Sequence, residues 1–342
     1  MFDTSPMFYS SLTRISDLRS GHFELKNLPR NEWQTGDYVI GEVAGLPCPD
    51  NLVELDSGRL IEALPGDHVI GAFGKRAATL GGVGNWEAIE NDGLMDALTC
   101  AGLFGKATSI SHTMPGFMKL SYKGHVVREK GKLRMNDFVG KYPETKLQIP
   151  VILLVGTSMS AGKTTTGRVI VHLLKCAGLN VVGAKFTGAG RFRDTLSFGD
   201  AGADHIFDFV DAGLPSTVVP ESEFIQANRN LISRIAGLNA DILVAEAGAS
   251  PLEPYNGALA ISELKENICF TVLCASDPYA VVGVQTAFNL HPDLVTGPAT
   301  NTTAAISLVN KLTNIKALNI ADHRSHEALF DLLKERLPIN LL

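Results

Sequence analysis

Apolar positions change their rhythm near the middle of the chain. Before about residue 145, short β-like runs such as Tyr38-Val39-Ile40-Gly41-Glu42-Val43 and His68-Val69-Ile70-Gly71-Ala72-Phe73 are interrupted by Gly and Pro, and helical spacing is scarce. After Pro150, continuous apolar runs alternate with 3.6-residue periodicity. Val151 to Val155 is unbroken, as expected of a strand covered on both faces of a parallel sheet. Thr164 to Ala177 then carries Val169, Ile170, Leu173 and Leu174 on one helical face, and Gly178 supplies the stop. Further strands are expected at Val181 to Phe186, Ile242 to Ala245, Phe270 to Ala275 and Asp293 to Thr296, and helices at Ser222 to Gly237 and Thr302 to Leu312. The pattern predicts an α/β chain in two parts. Residues 1–145 read as a β-rich, barrel-like domain with one helix over Asp92 to Ala101. Residues 146–342 read as a doubly wound, mainly parallel sheet that takes its ligands at the carboxyl ends of the strands. Lys141 to Pro150 is the expected linker.

Within the first part, Gly36-Asp37-Tyr38-Val39-Ile40-Gly41 returns thirty positions later as Gly66-Asp67-His68-Val69-Ile70-Gly71. Gly tolerates positive φ and Asp bonds neighbouring amides, so each pair suits a turn that launches a strand. The repeat resembles the "GD box" of cradle-loop and related small β-barrels. Gly74 to Trp86 sets Lys75 and Arg76 before three glycines and an aromatic; it reads either as a flexible loop for an acidic ligand or as a long hairpin. Lys119 to Arg134 holds six basic residues against Glu129 alone and reads as the solvent face of a hairpin.

Composition narrows the function classes. A formal charge of −6 over 342 residues argues against a nonspecific grip on nucleic acid or anionic membrane. No apolar run approaches the ~20 residues needed to cross a bilayer. Met1 to Ser20 lacks the apolar stretch of a signal peptide, so a cytoplasmic protein is expected. The cysteines Cys48, Cys100, Cys176, Cys269 and Cys274 are scattered and never spaced C-x-x-C, which signals neither a disulfide framework nor a zinc site. Cys100, in a Gly- and Thr-rich stretch, is the one to watch. His323 and His326 are three apart without a third ligand nearby.

The chemistry is concentrated after the first strand of the second part, in Gly156-Thr157-Ser158-Met159-Ser160-Ala161-Gly162-Lys163-Thr164-Thr165. Glycines allow such a loop to curl its amides toward phosphate oxygens, and the following helix aims its positive end at the same place. Lys163 would reach the β- and γ-phosphates, and Thr164 would ligate Mg²⁺. Five residues rather than four separate Gly156 from Gly162. This loop resembles that of dethiobiotin synthetase and its relatives among the MinD-like P-loop ATPases, which include the amidoligases of cobalamin synthesis. Gly183-Ala184-Lys185-Phe186-Thr187-Gly188 is similar to the synthetase segment whose lysine holds the substrate and the transferred phosphoryl group; Phe186 stands where that family has proline. Glu246-Ala247-Gly248-Ala249-Ser250-Pro251 resembles its Glu-Gly-x-Gly-Gly segment. The resemblance implies Lys185 as a catalytic and substrate residue and Glu246 as a second Mg²⁺ ligand. Ser158 occupies the position of a metal-ligating Asp in the synthetase, and the biotin-precursor pocket is not recognisable. A further resemblance, over about residues 150 to 320, is to an uncharacterised bacterial P-loop family, one branch of which is linked to D-glutamate N-acylation. Its pattern looks like Thr187-Gly188-Ala189-Gly190, an Asp-rich helix over Asp204 to Asp211, and Glu246 to Pro254. That family's first domain is Rossmann-like, unlike the barrel read here.

The same residues make sense without families. Lys185 ends a strand beside the loop, where a cation could neutralise a transferring phosphoryl group, and Glu246 ends another, where a carboxylate can hold Mg²⁺. Thr187, Gly188, Arg191 and Arg193 are candidate substrate residues; the two arginines suit a substrate carboxylate or γ-phosphate, or are solvated loop cations. Asp204, Asp208 and Asp211 share a helical face, which reads either as solvated or as approaching the metal, with Asp200 or Asp204 the candidate ligand; Asp277, past a strand, is a further candidate. Asn301, in Gly297-Pro298-Ala299-Thr300-Asn301, could bond adenine, and with no Asn-Lys-x-Asp for guanine the expected cofactors are ATP and Mg²⁺. Three functions compete: an ATP-dependent ligase or kinase acting on a small carboxylate or amino-acid-like substrate, a nucleotide-driven switch, and a non-catalytic sensor. A homodimer is expected by analogy.

Overall fold

The Gly-Asp repeat organises the first half of the chain. In the computed structural model, which describes residues 6–45 and 51–339, that half holds β1 (Met7–Tyr9), β2 (Glu24–Lys26), β3 (Tyr38–Val43), β4 (Leu52–Glu54), β5 (Leu60–Glu62), β6 (His68–Phe73), β7 (Lys75–Ala77), β8 (Gly82–Asn85), β9 (Leu94–Thr99), β10 (Leu103–Ile110), β11 (Lys119–Arg128) and β12 (Gly131–Lys132). β3 and β6 pair antiparallel about Ile40 opposite Ile70. The pairing is two-fold symmetric: Gly36 and Gly66 adopt φ of +82° and +91°, Gly36 N–H donates to Phe73 O, and Gly66 N–H donates to Val43 O. Each aspartate carboxylate accepts the amide three residues upstream, Asp37 from Gln34 at 2.8 Å and Asp67 from Leu64 at 2.7 Å. The order β6-β3-β11-β9-β10, with β10 pairing back to β6, closes a barrel around Val39, Val69, Phe73, Met95, Phe104 and Leu120.

Asp92 to Ala101 is not the expected helix. Gly93, at φ +68°, turns the chain, Asp92 caps Leu94 N–H, and β9 runs between β10 and β11 with hydrogen bonds on both edges. Met95 and Ala97 join the barrel core, so burial and two-sided pairing override the helix preference of Leu, Met and Ala. Gly74 to Trp86 contains the β7–β8 hairpin, with Lys75 paired to Glu87 and Arg76 bonded to Leu98 O. The basic stretch from Lys119 is a hairpin whose cations meet acids: Lys119 with Asp96, Lys123 with Glu42, Arg128 with Asp17 and Lys132 with Asp37. Cys48 lies outside the described residues.

The chain forms two compact units. The first is Met1–Lys141 with Ala189–Arg193 and Phe209–Pro220; the second is Tyr142–Gly188, Asp194–Asp208 and Glu221–Leu342. The second unit is built on β13 (Val151–Gly156), β14 (Val181–Thr187), β15 (His205–Asp208), β16 (Ile242–Ala247), β17 (Ile268–Cys274) and β18 (Leu294–Thr296), in the order β15-β14-β16-β13-β17-β18 with every pair parallel. Its helices are α1 (Lys163–Cys176), α2 (Phe192–Asp200, begun in the first unit), α3 (Glu221–Ala236), α4 (Gly257–Leu264), α5 (Pro278–Phe288), α6 (Thr303–Thr313) and α7 (His326–Arg336). Alternation along β13 explains the double winding: Ile152 and Leu154 pack with Ile170, Leu174, Phe198 and Leu333, whereas Leu153 and Val155 pack with Val281, Val284 and Val309.

Asp204 to Asp211 is not a helical face. Gly202, at φ +101°, ends the α2 region, and His205–Asp208 adds an edge strand to β14. Asp204 instead pairs with Lys175 at 2.8 Å and accepts Val181 N–H, while Asp211, in the first unit, pairs with Arg14. Among the described residues, no helix is long and apolar enough to cross a membrane.

Candidate functional site

β13 delivers Gly156 to the carboxyl edge of the sheet, and seven residues later, at Lys163, the chain is helical. α1 begins at Lys163 with Gly162 as its N-cap at φ +96° and no capping side chain, so its leading amides keep their donor capacity for an anion. Lys163 is buried, and its ammonium donates to Ser158 O at 2.8 Å and Ala249 O at 3.0 Å. A Cβ on Gly156 would overlap that ammonium, which accounts for the glycine. Thr157 Oγ1 accepts from Ser276 N–H at 3.0 Å and fixes the loop's entry; Ser158 and Ala161 are buried, and Ser160 and Thr165 are exposed. Ser160 holds φ of +61°, a left-handed conformation that strains a residue with a Cβ.

The partners of this loop come from neighbouring strands. Thr164 Oγ1 donates to Glu246 Oε2 at 3.0 Å. Glu246 stands opposite Leu154 on one side and Lys185 on the other, and Lys185 in turn stands opposite Asp208. The Lys185 ammonium donates to Asp194 Oδ2 at 2.5 Å, and Thr195 donates to Asp208 at 3.1 Å. Thr187 donates to Gly248 O at 3.1 Å, tying the ends of β14 and β16; a Cβ on Gly248 would overlap Thr187 O. Lys163, Thr164, Lys185 and Glu246 are therefore assembled at one edge.

Burial pushes the Lys163 ammonium below the ordinary lysine pKa, with Glu246 opposing. Burial acts likewise on Lys185, but Asp194, Glu246 and Asp208 together outweigh it and hold its pKa above the usual value. Glu246 is raised by burial against the pull of Lys185 and Lys163. The charges compensate one another: each ammonium favours the ionised Glu246 carboxylate, and Glu246 favours each ammonium, against the cost of burial.

Other expected residues fall elsewhere. Asp200 is the exposed last residue of α2, six positions beyond Asp194, about 9 Å along a helix. Arg191 and Arg193 belong to the first unit and are exposed. Gly188, at φ +136°, closes the segment after β14. Asp277 caps α5, accepting from Tyr279 and Ala280 N–H. Asn301 is exposed just past the turn at Pro298–Thr300, which is seated on the loop because Gly297 approaches Ala161 O too closely for any Cβ. His326 Nε2 contacts Ile320 O at 3.0 Å. Among the described residues, no group of three or more His, Cys, Asp or Glu is arranged to hold a metal ion.

Two acids escaped the sequence reading. Asp194 gave a weak signal as the first acid after the two arginines. Glu54 gave none: it is fully buried in the first unit, where its carboxylate accepts from Ser11 Oγ at 2.5 Å and from the main-chain N–H groups of Phe192 and Arg193 at 2.8 Å each.

Fold and loop together define the second unit as a P-loop domain of the doubly wound α/β class. No family profile and no curated protein matches the chain. Solved structures with some likeness include chloroplast FtsY from Physcomitrella patens (14% identity, covering 58% of this chain and 70% of that one, TM-score 0.35). A DUF1611 family protein from Anabaena variabilis has 17% identity, coverage of 58% and 63%, and a TM-score of 0.39. A ParA family ATPase from Chlorobium tepidum has 10% identity, coverage of 55% and 93%, and a TM-score of 0.33. The class follows from the strand order of the second unit and the geometry of its loop.

Proposed function

We propose that the chain is an ATP- and Mg²⁺-dependent enzyme that transfers the γ-phosphoryl group to a small carboxylate or carbamate, as a ligase or kinase. One observation carries this reading: a second buried ammonium, Lys185, sits beside the Lys163–Thr164–Glu246 set, on the neighbouring strand and in register with Glu246. A MinD-like switch commonly carries its second lysine early in the loop, where Met159 and Ser160 offer none. A second ammonium is an investment in charge that moves during transfer.

The residues present fit the groups this chemistry requires. The Lys163 ammonium rests on two main-chain carbonyls, bonds that phosphate oxygens can replace, and Thr164 with Glu246 offers the oxygen ligands that Mg²⁺ prefers. Mg²⁺, when bound, supplies neutralisation of the phosphate charge. Lys163 would accompany the β- and γ-phosphates, while the leading amides of α1 hold them in place. Lys185 would neutralise the acceptor carboxylate as its oxygen forms the new P–O bond and the bond to the β-phosphate bridging oxygen breaks, releasing ADP. Asn301 is the adenine candidate. Arg191 and Arg193 are not needed by this reading, and a homodimer, checked by light scattering, is compatible with it.

The test is ADP release in the presence of pools of carboxylic and amino acids. Lys163→Ala should abolish nucleotide binding. Lys185→Ala should bind nucleotide normally yet lose acceptor-stimulated turnover by about 10²- to 10³-fold. Equal turnover in Lys185→Ala would refute the proposal, and stimulation by a protein partner alone would favour the switch.

A further inference from the structure

We propose that Asp194 sorts the charges at the head of the sheet: by holding the Lys185 ammonium, it leaves Glu246 to Thr164 and to a divalent cation. Asp194 is thus a positioning residue, and the inference rests on the functional reading above, in which Thr164 and Glu246 hold the metal.

The backbone alone would arrange these charges differently. Lys185 lies between Asp208 and Glu246 in direct cross-strand register, and neighbouring strands are only about 4.8 Å apart. Glu246 and Asp208 are therefore the acids that strand pairing offers to Lys185. The hydrogen bonds are distributed otherwise: Lys185 donates to Asp194, nine residues further along, while Glu246 accepts from Thr164. The other flanking acid is also occupied, because Thr195, next to Asp194, donates to Asp208. Two consecutive residues in the first turn of α2 thus engage Lys185 and one of its flanking acids. A carboxylate at that helix position is favoured by the helix dipole. The lysine side chain reaches Asp194 by running past Gly248, where a Cβ would stand 3.2 Å from Lys185 Cε.

Removing the Asp194 charge frees the Lys185 ammonium to fall back on its register neighbour. An ion pair between Lys185 and Glu246 would then compete with the cation for the same carboxylate. The site would keep its nucleotide loop and lose its metal preference.

The experiment is a Mn²⁺ titration of the full-length protein with a non-hydrolysable ATP analogue, followed by electron paramagnetic resonance, on folded variants verified by circular dichroism. Asp194→Asn should raise the Mn²⁺ half-saturation concentration by at least about tenfold. Asp194→Glu should rescue it. Adding Lys185→Met to Asp194→Asn should restore it to within about twofold of the wild type, because the competitor is gone. An unchanged Asp194→Asn overturns the inference alone, as does a double variant as weak as Asp194→Asn. Should Asp194→Asn not fold, Lys185→Met by itself must hold Mn²⁺ at least as tightly as the wild type, and weaker binding overturns the inference. A wild-type chain that holds no Mn²⁺ with the analogue sinks the functional reading first, and the inference with it.

Discussion

Gly156→Ala isolates the link between the first glycine of the loop and its lysine. The new methyl group would overlap the Lys163 ammonium and stand 2.9 Å from both Lys163 Cδ and Ala249 O, well inside van der Waals contact. β13 is paired on both sides, so Gly156 cannot retreat, and the flexible end of Lys163 must move. It then loses its bonds to Ser158 O and Ala249 O. With partial recovery of hydration at roughly 1–2 kcal/mol per bond, the substitution should destabilise the protein by about 2–4 kcal/mol. Equilibrium urea unfolding, read as a cycle with Lys163→Ala, measures this. Because Lys163→Ala removes the group that clashes, the double variant should be more stable than the sum of the singles predicts, by about 1 kcal/mol or more. Additive effects, or a wild-type urea midpoint for Gly156→Ala, would refute the steric argument. Calorimetry on the same variant should show weakened nucleotide binding with the fold intact.

Three further outcomes follow from the structure. Glu54→Ala should cost about 3–5 kcal/mol in urea unfolding, since it leaves Ser11 Oγ and the amides of Phe192 and Arg193 without their shared acceptor, whereas Glu54→Gln should cost less than half as much; equal costs would show that the hydrogen bonds are not the source. Ala249→Gly should stabilise by about 0.5–1 kcal/mol, because relief of the left-handed φ of +57° exceeds the entropy cost of glycine; a lower urea midpoint would count against strain there. Burial pushes the Cys274 thiol up to about 11. The thiolate predominates only above that value, and at pH 8 about a thousandth of the group is ionised. Iodoacetamide followed by mass spectrometry should therefore modify the exposed Cys176 and spare Cys274 until the protein unfolds; comparable labelling of the two in the native state would refute the burial of Cys274.

What the sequence made legible was local or doubly constrained. β13, β14, β16, β17 and β18 are buried along all or most of their length, so burial writes them as mainly apolar runs. The Gly-Asp repeat was readable because two turns with positive φ need the same residues twice, and the structure places those turns about one local two-fold axis. β9 and β15 were not readable. β9 is written in Leu, Met, Asp and Ala, residues whose own preference is not for strands, and only its two neighbours make it one. β15 is a four-residue edge strand, and its Asp208 stands four residues from Asp204 and three from Asp211, a spacing that also fits a helix.

The same distinction divides the candidate site. Gly156 to Thr165 is contiguous, so its chemistry is carried by order along the chain and survives without the fold. Lys185 and Glu246 are separate in sequence, but each interrupts a buried, mainly apolar strand near its carboxyl end, and a charge at such a position has few reasons to be there other than the site. Asp194 and Glu54 have no such marker. Asp194 stands in the first turn of an amphipathic helix, where an acid is ordinary, and its meaning comes entirely from the nine-residue connection that returns it to Lys185. Glu54 is an acid at the end of a short strand, and its partners are main-chain amides 138 and 139 residues away, groups that every sequence possesses and none advertises. A side chain that recognises another side chain can leave a trace in residue type, while one that recognises backbone cannot. Buried acids of the Glu54 kind are therefore found by their hydrogen bonds, and the cost of Glu54→Ala is the direct measure of how much of this architecture the residue alphabet conceals.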